Sequence, residues 1–201
     1  MLSNKQQISK RLFDIYLGII GLIIFLIPML IFIIIASFST KSFGIFSQNR
    51  VGKNAKLFRL YKIKSMRVND STNHITTAND LRVTKFGKFL RKSKMDELPQ
   101  LFNVLIGNMS FVGPRPDVEG YADKLVGDDR IILSVKPGIT GPATIKFNNE
   151  EELLTQQENP IKYNDEVIWP QKVVLNKIYV KEWSRLNDIT YLFLTISKLF
   201  R

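Results

Sequence analysis

The stretch RKSKMDELPQLFNVLIGNMSFVGPRP, Arg91 to Pro116, joins two adjacent carboxylates, a short apolar segment and an arginine flanked by prolines. Pro99 is comfortable only in the first turn of a helix, so the helix is expected to start at about Asp96. Leu98, Leu101, Phe102, Leu105 and Ile106 repeat at helical spacing and Gly107 suits the position past the C-terminus, which predicts about three turns with a buried apolar face. Asp96 and Glu97 then sit at a helix N-terminus, where partial positive charge and unpaired N–H groups keep a carboxylate ionised and attract phosphate. The plainer reading is that Asp96 caps the helix, alone or in a capping box with Ser93. A Ser93 cap, however, would carry Pro99 too deep into the helix. Arg91, Lys92 and Lys94 crowd the carboxylates from one side. On the other, Pro114 and Pro116 stiffen the backbone around Arg115, which suits that guanidinium to a bidentate phosphate contact.

Outward from this stretch, composition sets bounds. The chain has 201 residues, 45% of them hydrophobic, enough for one domain with a core. Its net charge of +11 implies an anionic partner, whether nucleic acid, lipid headgroup or nucleotide. With no cysteine, disulfides and thiolate metal sites are excluded. The single histidine, His74, lies in a polar run and is expected in a loop, which removes Ser-His-Asp and multi-histidine chemistry.

From Ile15 to Phe38 about 24 residues carry no charge, enough at ~1.5 Å each to cross a ~30 Å hydrocarbon layer. Lys5, Lys10 and Arg11 precede the run, and Lys41, Arg50, Lys53, Lys56 and Arg59 follow it, so both flanks ask for the cytoplasm. Pro28, near the middle, removes a backbone hydrogen bond and bends a helix. A bent segment entering and leaving the same leaflet satisfies both flanks, while a simple span stays open because prolines occur in true spans.

Ser47 to Gly52 and Leu57 to Met66 read as short strand-like or irregular segments, the second with Arg59, Lys62 and Lys64 around Tyr61. Val68 to Leu81 reads as a polar surface loop and Arg82 to Lys94 as a basic amphipathic segment with Val83, Phe86, Phe89 and Leu90 on one side. Lys136 to Pro142, KPGITGP, is a turn-rich bracket whose glycines permit close approach to a ligand or a neighbouring loop. Glu150 to Glu152 is expected to be a solvated helix face. Two helices follow, near Trp169 to Trp183 and Asp188 to Phe200, the latter with an apolar stripe of Ile189, Leu192, Phe193, Ile196, Leu199 and Phe200 that suits either a bilayer interface or ordinary core packing.

The string DELPQLFNVLIGNMSFVGPRP resembles the signature of the bacterial sugar transferases, small monotopic phosphoglycosyl transferases that act on a polyprenol phosphate. KRLFDI at Lys10 to Ile15, QNRVG at Gln48 to Gly52, FRLYKIKSM at Phe58 to Met66 and KPGITGPA at Lys136 to Ala143 continue the resemblance in the family's order. The resemblance implies a mainly α fold with minor β: a membrane anchor over 1–46, re-entrant with its break near Pro28, and a cytosolic catalytic domain over 47–201 carrying interfacial amphipathic helices. It implies transfer of a phospho-sugar from a nucleoside diphosphate sugar, of UDP type, to undecaprenyl phosphate at the inner membrane, with the catalytic domain facing the cytoplasm. By the same resemblance Asp96 is the nucleophile and Glu97 holds Mg²⁺, with Asp96 beside it. Arg59, Lys62, Arg91, Pro114 and Arg115 form the phosphate site, and Asp188 is the candidate partner of Arg91. Two departures stand out: relatives often carry Ser-Pro at the break, where this chain has Ile27-Pro28, and many carry Trp after the second bracket glycine, where it has Pro142. The competing reading is a non-enzymatic, membrane-anchored basic module that binds nucleic acid or anionic lipid. It leaves the Asp-Glu pair and Pro-Arg-Pro unexplained, and no nucleic-acid fold signature is present. A glycosyl transferase moving the sugar alone is a second rival. The sugar, the glycan and the oligomeric state stay open.

Overall fold

The structure is a computed structural model that describes residues 2–67 and 80–199, with only the backbone of Leu199. His74 and all but the last two residues of the expected polar loop fall outside the described residues. The described residues are mostly helical and form two small sheets.

Helix α1 spans Asn4–Thr40 and starts in a capping box, in which the Gln6 N–H donates to Ser3 Oγ and the Ser3 N–H donates to Gln6 Oε1. Pro28 lies inside it. Its buried residues, Lys10, Asp14, Gly18, Met29, Ala36 and Thr40, follow one narrow line at helical spacing. The remaining faces expose Ile23, Ile27, Ile34 and Phe38 among many apolar residues. In a chain dissolved in water that surface would be costly, since apolar area is favourable only when removed from water.

The buried line seats α1 on the rest of the protein. Near its start it packs on α3 (Gln100–Ile106), where a Cβ on Gly18 would come within 2.8 Å of Leu105. Near its end Met29 and Ala36 form a core cluster with Ile63 and Leu90, the latter on α2 (Lys85–Lys92), and Phe32 meets the rings of Phe86 and Phe89 edge-on.

Strands β1 (Ile45–Val51) and β2 (Leu57–Ile63) form an antiparallel hairpin, which settles the open choice between strand-like and irregular for these basic segments. Strand β3 (Ser110–Val112) runs parallel to β4 (Gly138–Thr140), pairing Ser110 with Gly138 and Val112 with Thr140. Helices α4 (Pro142–Lys146), α5 (Glu150–Thr155) and α6 (Pro160–Tyr163) are short, and the acidic run opens α5. The two C-terminal helices fall close to where periodicity puts them, α7 at Trp169–Lys181 and α8 at Arg185–Leu199. On α8 the inner face carries Asp188, Tyr191, Leu192 and Thr195, while Phe193 and Ile196 of the predicted stripe stay exposed.

Candidate active site

The expected three-turn helix starting at Asp96 is divided. Met95–Glu97 is a single 3₁₀ turn entered through Lys94 in the left-handed conformation (φ 57°), and the α-helix proper begins after Pro99. The buried face also differs from the periodic pattern: Gln100, Leu101, Asn103 and Val104 are buried, whereas Phe102 and Ile106 are exposed. The polar Asn103 explains the change. Its Nδ2 donates to the Arg59 carbonyl at 2.7 Å and its Oδ1 accepts from the Tyr61 N–H at 3.1 Å. α3 is thereby docked on β2 by a side-chain amide that both donates to and accepts from the strand backbone, and Lys62 is carried to the carboxylates.

Glu97 is clamped. Its Oε1 accepts from Lys62 Nζ at 2.9 Å and from Arg115 Nη2 at 2.8 Å. Burial works to raise the Glu97 carboxyl, yet Arg115 and Lys62 together hold it well below the usual carboxylate range. Asp96, the next residue, is equally buried but differently served. Its Oδ2 lies 4.0 Å from Lys62 Nζ, and its buried Oδ1 has no hydrogen-bond partner among the described residues. Burial raises the Asp96 carboxyl above its ordinary value, with Lys62 opposing and the Glu97 charge adding to the rise. A helix terminus holding Asp96 readily ionised is therefore a corrected expectation. Nor does Asp96 cap a helix, because among the described residues its carboxylate accepts no backbone N–H.

Arg115 is positioned by the parallel ladder. The Gly113 N–H donates to the Thr140 carbonyl at 2.9 Å and the Gly138 N–H to the Pro114 carbonyl at 2.8 Å. A Cβ on Gly138 would fall 2.1 Å from the Gly113 nitrogen, so the glycines of the 136–142 bracket serve the arginine's own loop. Arg50 braces the same loop from β1, its Nη1 donating to the Pro116 carbonyl at 3.4 Å and its Nη2 to Gln48 Oε1 at 2.9 Å. Asp117 follows on that loop, and burial pushes its carboxyl up to about 6 against the pull of Lys172, Arg50 and Arg115.

Other expected site residues are placed differently. Arg59 and Lys62 have opposite parity on β2, and Arg59 is exposed with no side-chain partner among the described residues. Arg91 ion-pairs with Glu151 on α5, and Glu150 binds Lys172 at 2.7 Å, so two of the three glutamates are tied to cations while Glu152 stays exposed. Asp188 is not the partner of Arg91. Its Oδ2 accepts from Lys10 Nζ at 2.6 Å and Trp183 Nε1 at 3.0 Å, and its Oδ1 from Tyr179 OH at 2.8 Å. Beside it Asp14 accepts from Ser110 Oγ and the Phe111 N–H. The available signal for this knot was Lys10 and Asp14 four apart at the entrance to an apolar run; Asn103 and Arg50 gave none beyond being polar in apolar or strand-like surroundings.

A pair of carboxylates, one neutralised and one open, beneath converging cations is suited to phosphoryl chemistry. The sequence profile of the family described as bacterial sugar transferase matches residues 5–201. The chain belongs to the bacterial sugar transferase family. Among its curated relatives, the UDP-glucose:undecaprenyl-phosphate glucose-1-phosphate transferase of Klebsiella pneumoniae is 37% identical over 207 residues, covering 99% of this chain and 42% of that protein. Galactosyl transferase CpsE of Streptococcus agalactiae serotype III is 40% identical over 210 residues, covering 94% of this chain and 41% of that protein. The undecaprenyl-phosphate galactose phosphotransferase of Salmonella typhimurium is 35% identical over 215 residues, covering 98% and 42%. This bacterial sugar transferase thus spans about two fifths of the length of the curated relatives it matches.

Proposed function

We propose that the protein transfers a phospho-sugar from a UDP-sugar to undecaprenyl phosphate, yielding undecaprenyl-diphosphate-sugar and UMP, the opening step of a bacterial surface glycan. The names of the relatives support the substrates, and the observation that carries the mechanism is the contrast between clamped Glu97 and Asp96, whose buried Oδ1 has no hydrogen-bond partner among the described residues. An Asp96 carboxylate oxygen attacks the β-phosphorus of the donor. A phosphorus–oxygen bond forms, the bond to the bridging oxygen breaks, and UMP departs with that electron pair. An oxygen of undecaprenyl phosphate then attacks the same phosphorus and releases the Asp96 carboxylate. Lys62 and Arg115 hold cationic charge beside the transferring group, and Arg91 adds to it once freed from Glu151.

A magnesium ion fits this donor set. Mg²⁺ needs only one or two carboxylates beside substrate phosphates and water, and Asp96 offers a buried oxygen without a partner next to Glu97. When bound, the ion would offset the charge of the diphosphate.

In this reading residues 1–46 anchor the protein and 47–201 form the catalytic domain facing the cytoplasm at the inner membrane. A re-entrant course for α1, with its bend at Pro28, is supported by what holds its two ends. Lys10 and Arg11 are bound to Asp188 and to the Val104 and Leu105 carbonyls, while Met29, Ala36 and Ser42 meet Ile63, Leu90 and Lys64 of the same body. A simple span would carry one of those ends to the far side. The exposed Phe193 and Ile196 of α8 support its lying at the interface. The test is to incubate the protein with Mg²⁺, undecaprenyl phosphate and a panel of UDP-sugars. UMP release is expected; UDP release would mean that the sugar alone moves, and neither product from any donor would favour a binding module.

A further inference from the structure

We propose that the groove between the N-terminal turns of α1 and α8 binds an anionic phospholipid, apart from the carboxylates that carry the transfer reaction; this rests on α1 lying in the membrane, as proposed above. Two adjoining cavities of about 490 and 460 Å³ share Lys5, Ser9 and Arg185. The first is walled by Ile8, Leu12, Phe13 and Tyr16, and so runs along the apolar surface of α1. The second turns to Gln6, Trp183 and Ser184, which set polar groups beside the two cations along a surface that is otherwise still apolar. The polarity is that of a lipid, with an acyl chain along α1 and a phosphate between the two cations.

Charge points the same way. No acidic side chain lines either cavity, and neither Lys5 nor Arg185 has a side-chain partner among the described residues. The nearest buried acid, Asp188, is already used by Lys10, Tyr179 and Trp183. Those bonds also fix the walls, because Lys10 ties α1 to α8 at 2.6 Å and Trp183 is held at 3.0 Å. The groove is therefore preformed, and binding orders little beyond the lipid itself.

Position argues against the reacting polyprenol phosphate as the occupant. Met95 and Leu98, on either side of the carboxylates, share a core cluster with Leu22, Met29 and Phe32 of α1. Leu22 lies seventeen residues beyond Lys5, roughly 25 Å along a helix. A phosphate held by Lys5 and Arg185 is out of reach of Asp96.

The full chain would be floated with vesicles of phosphatidylcholine alone or mixed with phosphatidylglycerol, then extracted in detergent and weighed by native mass spectrometry. Flotation with both vesicles is expected, with one phosphatidylglycerol retained per chain and no phosphatidylcholine. Lys5→Ala/Arg185→Ala should reduce that retention about thirtyfold, the size expected of two cations at ~1 kcal/mol each beside an anionic headgroup, and Lys5→Arg/Arg185→Lys should preserve it. Equal retention of the two lipids, or undiminished retention in the alanine pair, would overturn the groove site while leaving the anchor intact. Failure to float with either vesicle would overturn the anchor and the groove site together.

Discussion

Asp188 and Asp96 are both buried aspartates, in two regions of the molecule that treat them in opposite ways. In the knot between α1, α7 and α8, Asp188 accepts hydrogen bonds from Lys10, Tyr179 and Trp183. In the turn before α3, Asp96 accepts none among the described residues, although Glu97 beside it holds two cations. Leaving a buried polar group without a partner costs about 1–3 kcal/mol, so such a group needs a reason other than stability. The satisfied acid fastens the anchor helix to the body; the unsatisfied one is left open for chemistry.

The comparison breaks most sharply at Asp96 itself. Asp96→Asn should lower turnover at least ~1,000-fold while the thermal midpoint holds or rises, because the buried charge removed has only Lys62 at 4.0 Å opposite it and no hydrogen bond among the described residues. Turnover within tenfold of wild type would place the chemistry elsewhere. At the other pole, Asp188→Ala should destabilise by about 3–5 kcal/mol in denaturant unfolding, since Lys10 is left buried and unpaired, and Lys10→Met/Asp188→Leu should recover most of the loss. A cost under ~1 kcal/mol in the single variant would mean that the tether is solvated.

Smaller effects sharpen the same contrast. Arg115→Ala should cost turnover about 100-fold, the usual loss on removing one preorganised charge donor, with little change in unfolding. Gly138→Ala should reproduce part of that kinetic loss without touching a charge, because its Cβ displaces the Arg115 loop. The weakest lever is pH. The Asp96 carboxyl is raised in the fold, so the single-turnover rate should fall with decreasing pH as that group protonates, starting above the ordinary carboxylate range. Asp117, pushed up from 3.8 to about 6, binds its proton more tightly folded than unfolded, so its contribution to stability is lost as pH rises across that window. Thermal midpoints measured across the window should lose that slope in Asp117→Asn.

Local chemistry in the sequence foretold what local chemistry controls. The Asp96-Glu97 pair, the Pro-Arg-Pro brace, Lys62 on a strand, the long apolar first helix and the two last helices are all readable from spacing and residue type. What failed depended on partners far along the chain. Asp188 meets Lys10 across 178 positions, and Arg91 meets Glu151 across 60. No periodicity carries that information. The helix after Asp96 was misread for a different reason: Asn103, a polar residue, occupies the buried face because its amide is paired with the β2 backbone, so the apolar pattern alone misassigned Phe102 and Ile106.

The most direct test of one open and one clamped carboxylate is intact-protein mass spectrometry after mixing the full chain with Mg²⁺ and a UDP-sugar, without lipid acceptor. A mass increase of one phospho-sugar is expected in wild type, retained in an Asp188→Asn variant and absent from Asp96→Asn. UMP release with no adduct on wild type, or an adduct that survives in Asp96→Asn, would contradict the assignment of Asp96 as the attacking group.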